Sequence, residues 1–158
     1  MGIKVKGFDR AVKNLRSFGV EGDKIVKREI NISASSIELG AIQRAPNTIG
    51  GIQTGIKQRI NKQIVNGGFG AKVGVEGSDP FPAYVEFGTG SNFTDLVNAR
   101  PDLYDENVKA IAREFYVNGK GTLKAYPYLF PAFFEERVVL VRNLKLKLTE
   151  LIIKTIKR

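Results

Sequence analysis

The sequence predicts an α+β protein with a single domain over residues 1–158, on three observations. A helical stripe of apolar residues covers part of the first third of the chain, and a long helical pattern covers residues 132–158. Between them, an Asn-Gly-Gly turn signal at residues 66–68 separates two alternating segments. A length of 158 residues is typical of one domain. Together these features indicate helices and a small antiparallel sheet in separate parts of the chain.

The N-terminal part predicts a short strand followed by two helices. Ile3–Val5 is the strand, and Phe8–Phe18 has apolar residues at helical spacing. Asp23 is the predicted N-cap of a longer helix that Pro46 ends. The apolar stripe of this helix recurs every three or four residues and consists of Val26, Ile30, Ala34, Ile37, Ala41 and Ala45.

The middle of the chain predicts three strands. Gly55–Val65 fits a helix by its isoleucine spacing and a strand by its alternation, but the Asn-Gly-Gly turn and the alternating segment Lys72–Glu76 favour a β-hairpin. Phe81–Phe87 is the third predicted strand, and the prolines at its start place it at a sheet edge. Gly88–Arg100 is a polar loop, long enough to predict mobility or partner contact.

Two further helices are predicted in the C-terminal part. Pro101 and the apolar spacing after it indicate a helix that ends near Asn118. After a linking segment, Ala132–Arg158 is predicted as one basic helix about 40 Å long. Its apolar stripe is broad, so this helix must cover a core or lie against a neighbouring subunit.

The composition excludes several classes of chemistry and leaves one acidic candidate. The chain has no cysteine and no histidine, which excludes disulfides, thiolate nucleophiles, Cys/His zinc sites and Ser-His-Asp catalysis. Glu86 lies in an apolar run that would raise its pKa, and Asp79 is near enough in sequence to form a carboxylate pair with it. A Glu that faces out from a strand, or that pairs with a basic residue, explains Glu86 without catalysis. The glycine-rich stretches lack phosphate-binding spacing.

The net charge of +9 is concentrated at the two ends of the chain. Residues 1–30 carry eight cations and four acids, and residues 137–158 carry seven cations and one acid. Such asymmetry fits nucleic acid, an acidic protein, a membrane surface or a solvated helix face. Positions 147, 154 and 158 share one helix face, as do 142 and 145. The candidate residues for contact with DNA or an acidic partner are Arg142, Lys145, Lys147, Lys154, Lys157 and Arg158.

No membrane or targeting segment is predicted. The longest apolar runs have four residues, far short of the roughly 20 that a transmembrane helix needs. The N-terminal residues do not have the pattern of a signal peptide. The expectation is a soluble protein made in a cytoplasm.

Three motifs, in order along the chain, resemble a known family. The first is Arg44-Ala45-Pro46 with Thr54-Gly55-Ile56-Lys57 after it. The second is close to the signature Tyr-x-x-Glu-Phe-Gly-Thr and comprises Tyr84, Val85, Glu86, Phe87, Gly88 and Thr89. The third is similar to Pro-Phe-Leu-x-Pro-Ala and comprises Pro127, Tyr128, Leu129, Pro131 and Ala132. The chain resembles, over about residues 5–135, the tail-component family of tailed phages, that is, the minor head–tail joining or tail-completion proteins of long-tailed phages and prophages.

The sequence departs from the family pattern at two positions. Tyr128 stands where the family usually has Phe, and Arg59 stands where a Ser is common. The resemblance implies helices packed on a small antiparallel sheet, similar in architecture to tail terminators. It implies no enzymatic activity, no cofactor and no metal site. The residues of the second and third motifs are expected to stabilise the fold first, and to take part in an interface only secondarily.

The resemblance also implies what the protein contacts. Its partners would be copies of itself in a ring, for which sixfold symmetry is allowed, and other neck and tail proteins of the phage. It would reside in the virion after assembly in the host cytoplasm, with DNA in the ring lumen and no membrane contact. The alternative left open by the basic residues is a DNA-binding module that acts in DNA packaging or retention.

Overall fold

The computed structural model describes residues 19–89, 109–110 and 121–156. Its elements confirm the α+β class, with helices and two small antiparallel sheets. They are, in chain order, α1 (Val20–Arg44), β1 (Thr48–Ile49), β2 (Ile52–Gln53), β3 (Ile60–Val65), β4 (Gly70–Val75), α2 (Phe81–Phe87) and α3 (Leu129–Ile156).

Helix α1 confirms the longest predicted stripe of the N-terminal half. All six stripe residues, from Val26 to Ala45, are buried. The helix begins three residues before the predicted N-cap, because Gly19 takes the N-cap position with a φ of 79° and its carbonyl accepts the N–H of Asp23 at 3.2 Å. Asp23 therefore lies in the first turn, where its negative charge complements the helix dipole. The helix ends at Arg44, with Ala45 as its C-cap and Pro46 directly after it, close to the predicted end.

The β-hairpin is confirmed, with a later start than predicted. Strand β3 pairs antiparallel with β4 in a register that sets Ile60 opposite Val75. A 3₁₀ turn at Lys57–Arg59 occupies the first part of the segment that was predicted as strand. The turn between the strands has positive φ angles at Asn66 and Gly67, a conformation that the Asn-Gly signal predicts. A second, very short hairpin of β1 and β2 lies between α1 and β3.

The third predicted strand is wrong, because Phe81–Phe87 forms helix α2. Pro80 is the N-cap of this helix, and its carbonyl accepts the N–H of Tyr84 at 3.1 Å. Asp79 accepts the N–H of Phe81 at 2.8 Å and so caps the start of the helix. Prolines fit the first turn of a helix, where the N–H groups need no partner inside the helix. The prolines that suggested a strand edge therefore mark the beginning of a short helix.

Helix α3 begins at Leu129, three residues before the predicted Ala132, and extends to Ile156. Pro131 lies in its first turn and not in front of it, which a proline tolerates. The helix packs antiparallel along α1, as shown by the ion pairs Arg44–Glu135 and Glu29–Lys147. Gly40 lets the two helices approach closely, because a Cβ at this position would lie 3.2 Å from the Ala132 Cβ.

In the described part of the chain, two clusters of buried apolar residues lie along α1. The cluster at the C-terminal half of α1 is shared with the β3–β4 hairpin, α2 and the start of α3, and includes Ala34, Ile37, Ala41, Ala45, Ile56, Ile60, Val73, Val85, Tyr128, Leu129 and Ala132. The cluster at the other half joins α1 to the middle of α3 through Val26, Ile30, Leu144 and Leu148. Helix α1 is therefore the element around which the described parts pack.

Several predicted elements lie outside the described residues. These are the strand Ile3–Val5, the helix Phe8–Phe18, the loop Gly88–Arg100 beyond Thr89, and the last residues of the C-terminal helix. Of the helix predicted after Pro101, only residues 109 and 110 are described, and they are helical. None of the described helices has an apolar stretch long enough to cross a lipid bilayer.

The ion pair between α1 and α3 gives a stability prediction. Glu29 is only 3% exposed, so substitution Lys147→Ala leaves a buried carboxylate without its partner. We expect the free energy of unfolding to fall by about 1–2 kcal/mol, since Lys147 is itself partly solvated. Urea unfolding followed by circular dichroism measures this change. The matched control is Lys145→Ala, an exposed position two residues away, for which we expect no measurable change; equal losses in both variants would contradict the prediction.

Candidate functional site

The second and third sequence motifs, which are about 40 residues apart, contact each other in the structure. The carboxylate of Glu86 in α2 is fully buried and lies at the start of α3. Its Oε2 accepts the N–H groups of Tyr128 and Leu129, both at 2.9 Å. Its Oε1 accepts the N–H of Phe130 at 3.0 Å. We call the contact between residues 84–89 and 121–132 the motif junction.

Glu86 serves as a cap for α3 that is supplied from another helix. The first N–H groups of any α-helix have no carbonyl partner inside the helix, and burying them unpaired is costly. Three such groups at the start of α3 are satisfied by one carboxylate. The negative charge of that carboxylate also complements the positive end of the α3 dipole. The motif junction therefore solves the hydrogen bonding of a buried helix terminus.

Backbone hydrogen bonds extend the junction on both sides of Glu86. The N–H of Tyr126 donates to the carbonyl of Val85 at 2.8 Å. The N–H of Thr89 donates to the carbonyl of Leu123 at 3.0 Å, and the N–H of Leu123 donates to Thr89 Oγ1 at 3.2 Å. The N–H of Gly121 donates to the Thr89 carbonyl at 3.1 Å. The segment before α3 is thus held to the end of α2 by several backbone hydrogen bonds.

Aromatic side chains close the junction against solvent. The buried Tyr128 hydroxyl donates to the carbonyl of Pro82 at 3.2 Å. The rings of Phe87 and Phe130 pack with their centroids 5.4 Å apart. The Pro82 carbonyl thus gives the Tyr128 hydroxyl a hydrogen-bond acceptor inside the protein. This explains how Tyr fits at a position where the family that the motifs resemble usually has Phe. The ring contact joins Phe87 of the second motif to Phe130, which lies between Leu129 and Pro131 of the third.

The electrostatics of the junction follow from burial. Burial raises the pKa of Glu86 to about 7, against the opposing effect of its three N–H donors. Burial, and then the negative charge of Glu86, raise the pKa of Tyr128, so its phenol keeps the proton that it donates to Pro82. The junction thus holds one ionisable group that titrates near neutral pH and one that stays neutral.

Asp79 and Arg59 have a separate role next to the junction. Arg59 Nε donates to the Glu76 carbonyl at 2.7 Å, and its guanidinium forms an ion pair with Asp79 at 2.7 Å. The Phe81 N–H, followed by Arg59, lowers the pKa of the Asp79 carboxyl. Asp79 is exposed while Glu86 is fully buried. The two carboxylates therefore do not share a solvent-accessible site, and Arg59 fastens the hairpin to the start of α2.

The geometry of Glu86 differs from both simple explanations given by the sequence. Glu86 neither faces out from a strand nor pairs with a basic residue, because it is buried in a helix and bound to backbone N–H groups. Both carboxylate oxygens are occupied and shielded from solvent, so in this arrangement neither can reach a substrate. Within the described ranges, no group of three or more acidic side chains is placed to hold a metal ion.

The candidate basic residues do not form one surface. Lys147 is bound to Glu29 of α1, and Lys154 lines the same groove as Glu21, Glu29 and Glu150. Arg142 and Lys145 are exposed and lie on a different side of α3. Lys157 and Arg158 lie outside the described residues. Among the four described candidates, Arg142 and Lys145 are therefore the two without an acidic side chain of α1 beside them.

The sequence-based search missed the buried polar positions of α1. Glu29 and Ser33 are each 3% exposed, on the side of α1 that faces α3. Their spacing of three and four residues from Val26 and Ile37 places them beside the apolar stripe, and this was the available signal. A charged residue at such a position indicates a partner on the facing helix, which is Lys147.

Comparison with known proteins adds no relative. The chain matches no protein-family model, no curated protein and no solved structure. The family suggested by the motifs stays a prediction.

Substitution Glu86→Gln tests the pKa of the buried carboxyl. A folded-state pKa of about 7 lies above the unfolded value of 4.5, so Glu86 contributes most to stability below pH 4.5, and that contribution is lost as the pH rises through 7. We expect the difference in unfolding free energy, wild type minus Glu86→Gln, to decrease by about 3 kcal/mol over this interval. Urea unfolding of both proteins at a series of pH values measures it. A difference that grows with pH would mean that the three N–H donors outweigh burial.

Gly88 is the C-cap of α2 and has a backbone conformation that only glycine adopts readily. Its φ of 78° and ψ of 172° lie in a region that is essentially restricted to glycine. A Cβ there would also lie 3.0 Å from the Ala125 nitrogen and the Leu123 carbonyl oxygen. We expect Gly88→Ala to lower the unfolding free energy by about 2–3 kcal/mol.

The matched control for Gly88→Ala is Gly51→Ala. Gly51 also has a positive φ, 83°, but a Cβ there would meet nothing within 4 Å. This control should lose only about 1 kcal/mol, from backbone strain alone. Thermal or urea unfolding of both variants compares the losses. Equal losses would show that close packing at the junction contributes nothing.

Proposed function

We propose that this protein is a structural component of a tailed-phage particle, acting at the neck or the tail end in tail completion or head–tail joining. The observation that supports it most is the motif junction. The second and third of the three motifs that carry the resemblance meet through Glu86 of the second motif, which caps the helix α3 that begins in the third motif. Motif residues that are buried and bonded to each other fit a protein selected for a stable shape.

The mode of action is ring oligomerisation and docking on neighbouring rings. A ring needs heterologous contacts, in which two different surfaces of each subunit meet. The protein exposes large apolar residues on several separate elements, among them Leu39 of α1 (57% exposed), Ile52 of β2 (75%) and Ile64 of β3 (41%). Exposed apolar residues on separate elements are available for two different contacts, which a heterologous ring requires.

The partners in this proposal are copies of the chain and adjoining proteins of the neck and tail. The resemblance allows a sixfold ring with DNA in its lumen. The protein would be assembled in the host cytoplasm and reside in the virion, and the proposal includes no catalysis and no cofactor.

The genetic test is a phage that lacks the gene. We expect electron micrographs of the lysate to show separated heads and tails or incomplete tail ends, with infectivity restored by a plasmid copy of the wild-type gene. Complementation with the Glu86→Gln variant tests whether Glu86 acts in hydrolysis by a carboxylate. We expect any defect of this variant to be a defect in folding or particle assembly. Fully infectious particles made without the protein would contradict the proposal.

The biochemical test is the mass of the purified protein. Native mass spectrometry and light scattering should detect a ring-sized oligomer, either for the protein alone or after addition of the tail tube protein. A strict monomer at high concentration, unchanged by the tube protein, would contradict ring assembly. Turnover of a small molecule at a useful rate would contradict the structural role itself.

A further inference from the structure

Helix α3 has one side packed on α1 and another side that faces solvent with a distinct composition. Between residues 137 and 149, a distance of about 18 Å along the helix, seven side chains are exposed. They comprise three cations, three aliphatic residues and a threonine, with no acid. We call this surface the outer face of α3, and it consists of Arg137, Val138, Val141, Arg142, Lys145, Leu146 and Thr149.

The cations of the outer face are free for a partner, unlike those on the packed side. Lys147 is held by Glu29, and Glu135 by Arg44, so the charges of α3 nearest α1 are neutralised within the chain. Within residues 19–89 and 121–156, no acidic side chain forms an ion pair with Arg137, Arg142 or Lys145. The outer face therefore presents three positive charges that no acid of these two ranges neutralises.

Apolar side chains lie between these charges. Val138 is 69% exposed, and Val141 and Leu146 are each 56% exposed. Val138 and Val141 lie three residues apart on one side of the helix, and Lys145, one turn after Val141, lies on the same side. The face thus combines an apolar seam, formed by Val138 and Val141, with positive charges beside and between its residues.

We propose that the outer face of α3 binds an acidic amphipathic helix of another protein. The apolar side of such a helix would cover Val138 and Val141, and its Glu or Asp residues would pair with Arg137, Arg142 and Lys145. The buried aliphatic groups supply affinity, and the complementary charges supply orientation and a fast encounter. This inference concerns the surface of the chain itself and does not depend on the proposed role in a virus particle.

Other occupants fit this composition less well. Phosphates of nucleic acid would pair with the cations but would gain nothing from the exposed valines. Helices that lie in a membrane interface carry large apolar residues such as Trp, Phe and Leu, whereas this face has two valines and one leucine. Two copies joined face to face would set cations against cations, which is unfavourable. An acidic helix alone satisfies both the charges and the apolar seam.

The experiment measures binding of the full chain to a synthetic peptide. The probe is a fluorescein-labelled helix of three heptads with Leu at positions a and d and Glu at most other positions; a scrambled peptide of the same composition is its control. Fluorescence anisotropy at physiological salt gives the dissociation constant. We expect the amphipathic peptide to bind and the scrambled one to bind at least about tenfold more weakly.

Two double variants identify the surface. Val138→Ser with Val141→Ser removes the apolar seam, and Arg142→Glu with Lys145→Glu reverses the charge. All four positions are exposed, so both variants should fold, which circular dichroism checks. We expect each to weaken peptide binding by about tenfold or more. The matched controls are Ile52→Ser and Lys72→Glu, which change an exposed apolar and an exposed basic residue elsewhere and should leave binding unchanged.

Each contrary outcome points to a different occupant and overturns the proposal. No preference for the amphipathic peptide, or equal effects of the control variants, would show that the outer face has no such specificity. Tighter binding of a short DNA duplex that depends on Arg142 and Lys145 but not on the valines would assign the face to nucleic acid. Tighter binding to phosphatidylserine vesicles would assign it to lipid. Self-association that is lost in Val138→Ser with Val141→Ser would assign it to a second copy.

Discussion

The need to satisfy three buried backbone N–H groups at the start of α3 is the constraint on which the rest of the structure depends. A helix that begins inside the protein cannot leave these donors to water, and each unsatisfied one costs about 1–3 kcal/mol. Glu86 accepts all three from its place in α2. Because α3 then packs along the whole of α1, the position of one carboxylate fixes where the longest helix enters the core.

The use of a charged cap has a physical consequence for the junction. A carboxylate in a site without solvent is stabilised only by the groups that it contacts, and here burial still raises its pKa to about 7. The surrounding bonds from the segment Gly121–Tyr126 to the end of α2 keep its donors in place. Residues 84–89 and 121–132 thus depend on each other, so loss of one bond weakens the others.

Sequence patterns predicted the elements whose signal is local and periodic. The stripe from Val26 to Ala45 and the Asn-Gly-Gly turn each specify their structure through a repeat or a backbone requirement that neighbouring residues share. Helix α2 was missed because it has only seven residues and five of them are buried. Its apolar residues therefore form neither the alternating pattern of a strand nor the single apolar face of an amphipathic helix. The role of Glu86 depends on partners more than 40 residues away, and no local pattern encodes a contact at that distance. The motifs identified the right residues, but their pairing required the fold.

The basic C-terminal region shows why net charge alone does not define a surface. Seven cations against one acid suggested contact with DNA or an acidic partner, and the fold gives the described cations different surroundings. Lys147 is used within the chain to neutralise Glu29, and Lys154 lies in a groove with three acidic residues. Arg137, Arg142 and Lys145 remain, and they are interleaved with exposed aliphatic residues. A surface for phosphates needs only charge, so the exposed valines and leucine between these cations favour a protein partner whose own surface is both acidic and apolar.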